Sequence, residues 1–249
     1  MADATTGWLH VVAGGALELV RNGPASVMFF FVLSGFILFH TYHSGIESGT
    51  FARRRFWVAR VARIFPVYFL GLALTAPLVF VACRSGITSW ADAARSGALG
   101  ALLLQAWHVP DALSWNGPGW SLSVETFFYL SFPFIAPWIA RVSAKTAVFA
   151  ALALHFGTRI SIFALAGSSA FSAQEWMDIS AYFPPCRLAE FVLGLAIGRV
   201  FVATRNSPVR ISKGDAVALL VLSVLSLTGI AKPLGVTGGL ILQPIAFAF

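Results

Sequence analysis

The chain has 249 residues, 58% of them hydrophobic and only 11% charged. A soluble domain carries about 25% charged residues, so this composition excludes a soluble globular fold and indicates an integral membrane protein. The formal charge of +7 is concentrated between apolar runs, as membrane topology demands and as a nucleic-acid-binding surface does not, so no nucleic-acid partner is expected.

The apolar runs are long, punctuated by Gly and Pro, and lack period-2 alternation, which favours helices over a β-barrel. The expected fold is therefore all-α, a polytopic membrane helical bundle. No basic n-region of a signal peptide precedes Gly7. Residues 1–25 contain one short apolar run, 8–20, read as an outer or re-entrant segment. Seven spans are expected over 26–249, at 26–42, 64–82, 119–139, 146–166, 183–202, 214–230 and 233–249. Each is long enough for a core about 30 Å thick. The run 96–107 is too short to cross and is expected to lie on the outer face.

Basic residues set the orientation. Arg53, Arg54, Arg55, Arg60 and Arg63 follow the first span, Arg141 and Lys145 the third, and Arg199, Arg205, Arg210 and Lys213 the fifth. These eleven of the seventeen basic residues fall on alternate loops, which places those loops in the cytoplasm. The opposite loops hold Arg84, Arg95 and Lys232 beside Asp92, Asp111, Glu175 and Asp178. Cys83 and Cys186 come near one face of the membrane and are read as unlinked apolar thiols. The chain stops at Phe249 inside an apolar run and has little before residue 26 for a full helix. The expectation is one membrane domain, 1–249, cut at both ends.

Trp120–Leu130, WSLSVETFFYL, puts a carboxylate and two serines at the head of a span. A charge at mid-bilayer costs about 2.5–3.5 kcal/mol on insertion scales, so such a residue points to function. Ser121 and Glu125 are four apart and share a helix face; Ser123 lies between them. Glu125 has no opposite charge within reach on its own helix. Arg159, Arg187 and Glu190 are expected to gather with Glu125 at one depth, the alternative being two ion pairs that merely hold helices together. His155 is read as a buried, hydrogen-bonded histidine, His40 and His43 as interfacial, and His108 as an outer-loop residue near the Glu125 end. Arg60 and Arg63, three apart in a mostly apolar stretch, could aim two guanidinium forks at one anionic group such as a phosphate. No P-loop, dinucleotide fingerprint, nucleophile elbow or metal-ligand spacing is present in the sequence.

Four segments in order resemble the membrane acyltransferase family 3, bacterial O-acyltransferases of the kind that decorate lipopolysaccharide, capsule and nodulation factors. They are FFFVLSGFIL from Phe29, RRFWVARVARIFPVY from Arg54, NGPGWSLSVETFFYLSFP from Asn116 and FPPCRLAEFVLGLAIG from Phe183. The resemblance implies about ten spans, of which this chain carries about seven, in the bacterial cytoplasmic membrane. It implies acyl-CoA, acetyl-CoA in the commonest case, as a co-substrate with no bound cofactor or metal. Arg60 and Arg63 would handle that donor, and Ser121, Ser123 and Glu125 would serve the reaction. Arg187, Glu190, Arg159 and Asn116 would form a supporting polar cluster. The acceptor would be a carbohydrate or glycolipid hydroxyl at the outer face, with membrane lipid around the bundle. The family's acid–base histidine belongs to the first helix, after a basic residue. His10 is the only histidine before Phe29 and no basic residue precedes it, so His10 is a candidate while the family histidine is expected to be absent.

On this reading donor and acceptor sites lie at opposite depths, with Glu125 near the acceptor and separated from Arg60 and Arg63 by most of the membrane. Two alternatives remain at this point: a transporter of a glycan or acylated substrate, against which no internal repeat is visible, and an inert fragment of the acyltransferase.

Overall fold

The computed structural model describes residues 23–166 and 171–205, and its regular structure there is entirely helical. The helices are α1 (Gly23–Glu47), α2 (Arg53–Arg84), α3 (Trp90–Ala101), α4 (Gly119–Arg141), α5 (Ala144–Ala166), α6 (Ala173–Tyr182) and α7 (Pro184–Thr204). Two 3-10 turns, Gln105–Trp107 and Val109–Asp111, connect α3 to α4. The segment 8–20 with His10, and the spans expected at 214–230 and 233–249, lie outside the described residues.

Among the described residues, four helices are long and apolar enough to cross a membrane: Ser26–Glu47, Arg53–Arg84, Gly119–Arg141 and Ala144–Ala166. Their outer surfaces are apolar, with Phe149 74% and Phe163 76% exposed, as a lipid-facing surface requires. The protein is an all-α, multi-pass membrane bundle. Helix α7 is 21 residues long but carries Arg187, Glu190 and Arg199. It tolerates them because it is the most enclosed helix: Arg187, Glu190 and the run Phe191–Ala196 are all buried.

Backbone contact between α1 and α7 fixes the bundle centre. A methyl group on Gly35 would land on the Phe191 carbonyl, and one on Gly194 on the Val32 carbonyl. Small residues allow two helices to approach this closely where packing replaces the hydrophobic drive. Rings fill the space alongside. Phe128 of α4 stacks on Phe191 of α7 at 4.7 Å, and Phe31 of α1 meets Phe128 edge-on at 5.0 Å.

The first helix runs to Glu47, past the expected end at 42, and two further departures bear on the site. The second span was expected at 64–82, yet α2 starts at Arg53, so the arginine segment belongs to the helix. Nothing between Arg53 and Phe65 breaks a helix, and Pro66 and Pro77 are accommodated inside it. At 32 residues, α2 is roughly 48 Å long by the 1.5 Å rise. The expected run 96–107 divides instead: α3 ends at Ala101, and the chain turns through Leu103 at φ 55° into the 3-10 turns. Its 12 residues span roughly 18 Å, too little to cross. Nor does α3 lie flat on an outer face as expected: it runs back along α2, with Trp90 against Phe80 at 5.6 Å and the Gly100 carbonyl accepting from the Tyr68 hydroxyl at 2.9 Å, so the chain enters α4 level with the middle of α2 and not with Arg84. Helix α6 was not anticipated. Ser172 starts it with a capping box: its hydroxyl accepts from the Glu175 backbone N–H at 3.2 Å, and the Glu175 carboxylate accepts from the Ser172 backbone N–H at 2.7 Å.

Candidate active site

The site follows from the antiparallel register of α2 and α4. At the start of α4 and the middle of α2, Tyr68 packs under Gly119, where an added methyl would lie 3.0 Å from its ring. About three turns further along, Trp57 Nε1 donates to the Tyr129 carbonyl at 3.0 Å. That carbonyl is available for a chemical reason. Its helical partner would be the N–H of residue 133, and Pro133 has none. The Trp57 indole fills the gap and pins the two helices together.

This register puts Arg60 and Arg63, which fall between Trp57 and Tyr68, level with the turn from Glu125 to Tyr129. The expectation that Glu125 and the arginines lie at opposite depths is therefore wrong. Charge counting assigned the arginines to a cytoplasmic loop. The continuous helix from Arg53 instead carries them up along α4. Both guanidinium groups act electrostatically on the Glu125 carboxylate. Arg60 is half-buried between two rings, 5.7 Å from the Phe56 centroid and 5.7 Å from the Tyr129 centroid, and reaches the Tyr42 hydroxyl at 3.4 Å. Arg63 is exposed.

Glu125 is 5% exposed. Its Oε1 accepts from the Tyr129 hydroxyl at 2.5 Å and from Ser34 Oγ at 3.4 Å. A buried carboxylate must be hydrogen-bonded to be tolerated, and here two helices share the task. Ser34 comes from α1, which the Gly35–Gly194 contact holds against α7.

Glu125 does not join the other buried charges, contrary to expectation. Arg159 Nη2 bonds Glu190 Oε1 at 3.0 Å, Arg187 Nη1 lies 3.4 Å from the same oxygen, and Arg159 Nη1 donates to Ser180 Oγ at 2.7 Å. Two arginines thus share one carboxylate, so this is a cluster with one excess positive charge and not two neutral pairs. Glu190 Oε2 and Arg187 Nε have no hydrogen-bond partner among the described residues. The Arg187 guanidinium lies over the Phe31 ring at 5.6 Å.

The serines separate in role. Ser121 is half-buried and donates to the Pro118 carbonyl at 2.9 Å, a first-turn bond that turns it away from Glu125. Ser123 is fully buried and donates to the Leu103 carbonyl at 2.6 Å, clasping the left-handed residue of the turn after α3 to α4. Asn116 packs its amide against Gly71 of α2. His108 Nδ1 lies 2.8 Å from Asp111 Oδ2 at the second 3-10 turn. His155 is buried at 1% exposure against Phe156, and His40 and His43 stack near the end of α1. Cys83 and Cys186 are both free.

Sequence reasoning missed Tyr129, Ser34 and Trp57. Tyr129 was within reach: it lies one turn after Glu125, so a polar ring on the same face was readable. Ser34 and Trp57 come from other helices, and no spacing rule could have found them.

The fold and site together define a multi-pass α-helical membrane protein with a buried carboxylate set beside an arginine pair. Residues 3–247 match the model of the Acyl_transf_3 family, an acyltransferase domain, and the chain belongs to that family. It is 27% identical over 202 residues to "Acyltransferase MdmB" of Streptomyces mycarofaciens, covering 76% of this chain and 49% of that protein. It is 32% identical over 160 residues to "Protein 2 in picA locus" of Rhizobium radiobacter, covering 56% of this chain and 81% of that one. The chain thus spans about half the length of the first relative. No solved structure matches it.

Proposed function

We propose that this chain forms the membrane core of an O-acyltransferase. It takes an acyl group, acetyl in the simplest case, from cytoplasmic acyl-CoA and delivers it to a hydroxyl of a carbohydrate or glycolipid outside the cytoplasmic membrane. The observation that carries the reading is the buried Glu125, bonded by Tyr129 and Ser34 and within electrostatic reach of Arg60 and Arg63. Family membership and a relative named as an acyltransferase support it.

In the reaction the acceptor oxygen attacks the thioester carbonyl, the C–S bond breaks, and the hydroxyl proton is passed to a base and then to the departing thiolate. Arg60 and Arg63 supply positive charge for the donor phosphates, at which guanidinium forks bind well. Glu125 supplies a fixed negative charge that orients a histidine base and stabilises its imidazolium. His10 is the histidine this chain offers near its start, outside the described residues. The shared level of the arginines and Glu125 favours acyl transfer over transport, because it brings donor phosphates and a proton-handling carboxylate to one place.

The test is Glu125→Gln in the full-length protein, assayed in native membranes by CoA release from acetyl-CoA. Loss of about 100-fold or more in rate is expected where a positioned acid–base group is removed. Near-wild-type turnover at equal expression would sink the reading.

A further inference from the structure

We propose that Tyr129 is a positioning residue that couples Arg60 on α2 to the Glu125 carboxylate. This inference rests on the acyl-CoA reading above and adds a component to the same site.

Tyr129 makes three different contacts with three different groups. Its hydroxyl donates to Glu125 Oε1 at 2.5 Å. Its ring lies 5.7 Å from the guanidinium carbon of Arg60. Its backbone carbonyl receives the Trp57 indole at 3.0 Å, three residues before Arg60 on α2. The ring is held from the side by Phe56, at 6.2 Å and 85°, and the residue is only 6% exposed. It therefore has little freedom to move independently of either helix. A displacement of Arg60 must be felt by the ring, and a displacement of the ring must be felt by the carboxylate.

The hydroxyl is the informative atom. The packing of this ring against Phe56 and Arg60 would be served equally by phenylalanine. A buried phenol needs a hydrogen-bond partner, and here the partner is the candidate catalytic carboxylate. Among the described residues no ion pair joins Arg60 or Arg63 to Glu125. A direct pair would commit the guanidinium charge to the carboxylate and withhold it from a phosphate. The phenol holds the two charges in fixed relation without neutralising either. Donor phosphates that draw Arg60 toward them would thus shift the ring, and with it the Glu125 carboxylate, so that donor docking sets the reacting geometry.

The experiment compares Tyr129→Phe, Tyr129→Leu and wild type in the full-length protein, with acetyl-CoA as probe. Tyr129→Phe keeps the ring over Arg60 and removes the bond to Glu125. Its kcat is expected to fall by about tenfold or more while the acetyl-CoA KM stays within about twofold. Tyr129→Leu removes both contacts and is expected to raise KM as well. Infrared difference spectra on adding acetyl-CoA give a readout that a purely structural role would leave alone. Wild type should show a carboxyl band that is absent in Glu125→Gln and lost in Tyr129→Phe. If wild type binds acetyl-CoA and Tyr129→Phe gives the same band and the same kcat, the coupling is overturned and the acyl-CoA reading stands. If wild type neither binds acetyl-CoA nor releases CoA from it, the acyl-CoA reading falls and the coupling with it.

Discussion

Arg159 on α5 and Arg187 on α7 converge on one oxygen of Glu190, at 3.0 Å and 3.4 Å. Because one carboxylate serves two guanidinium groups, the three residues are not interchangeable. Glu190→Ala leaves two buried cations with no counter-charge, and removing one partner of a buried pair typically costs about 3–5 kcal/mol. Arg159→Met leaves Arg187 and Glu190 as a neutral pair and gives back apolar volume. Thermal unfolding in detergent is expected to rank Glu190→Ala well below Arg159→Met. Equal losses would show that the cluster's charge balance is unimportant to stability.

The α1–α7 crossing makes a sharp prediction about glycine. At Gly194 an added methyl meets the Val32 carbonyl, and at Gly35 it meets the Phe191 carbonyl. The obstacle in each case is backbone, which cannot rotate away. Gly194→Ala is expected to cost at least about 1–3 kcal/mol, the range typical of overpacking. Gly157→Ala on α5 is the control: nothing lies within 4 Å of its added methyl, and alanine favours a helix over glycine by about 1 kcal/mol. Melting temperature should fall for Gly194→Ala and hold or rise for Gly157→Ala. Because Ser34 precedes Gly35, displacement at this crossing should also reduce CoA release, by moving the serine from Glu125.

The donor handling proposed for Arg60 and Arg63 is separable from this. Arg60 is fitted between the Phe56 and Tyr129 rings, a setting that uses the flat face of a guanidinium. Lysine cannot stack or fork in the same way. Arg60→Lys is expected to raise the acetyl-CoA KM by about tenfold, whereas Arg63→Lys, at an exposed position, should raise it less. The reverse order in initial-rate measurements would reassign the donor contact.

What the sequence made legible was within-helix information. The spacing from Ser121 to Glu125 and from Arg60 to Arg63 and the shortness of 96–107 all depend on local rules. What it hid was register between helices. The depth of Arg60 relative to Glu125 depends on where α2 begins and how it slides along α4, which Trp57 and the missing amide of Pro133 decide. Arg159 and Glu190 were expected at one depth, but which residue pairs with which depends on the rotation of α5 against α7. Helix α6 was locally legible and still missed: Ser172 and Glu175 have the spacing of a capping box, inside a segment that reads as loop because it separates two spans.

That capping box predicts a pH dependence outside the membrane spans. Hydrogen bonds from the Ser172 backbone and hydroxyl hold the Glu175 carboxyl below its ordinary value of 4.5. A folded-state value below the unfolded one means the stabilisation is fully present above about 4.5 and is lost as pH falls through the lower, folded value. Amide exchange, corrected for its intrinsic pH dependence, should show α6 protection at Glu175 and Trp176 constant from neutral pH to about 5 and declining below 4.5. Ser172→Ala should have lower protection already at neutral pH. Protection unchanged at pH 3 would remove the carboxylate from the cap.

The link between Trp57 and Pro133 can be tested as a coupling. In wild type the Tyr129 carbonyl has the Trp57 indole because Pro133 offers no N–H. Trp57→Phe removes that donor, and an unsatisfied acceptor in the bundle costs about 1–3 kcal/mol. Pro133→Ala restores an amide that can close the ordinary helical bond to Tyr129. In that background the same Trp57→Phe substitution should cost much less, since the carbonyl no longer depends on the indole. A double-mutant cycle on thermal stability should therefore give a coupling of about 0.5–3 kcal/mol, the range for residues sharing a hydrogen-bond partner. Acyl transfer should follow a different course. Pro133→Ala releases α2 from α4 without destabilising α4, so Arg60 loses its registration with Tyr129 and the rate should fall while stability is kept. Simple additivity in stability would mean that the proline and the tryptophan are unrelated, and that another contact sets the register that brings the arginines level with Glu125.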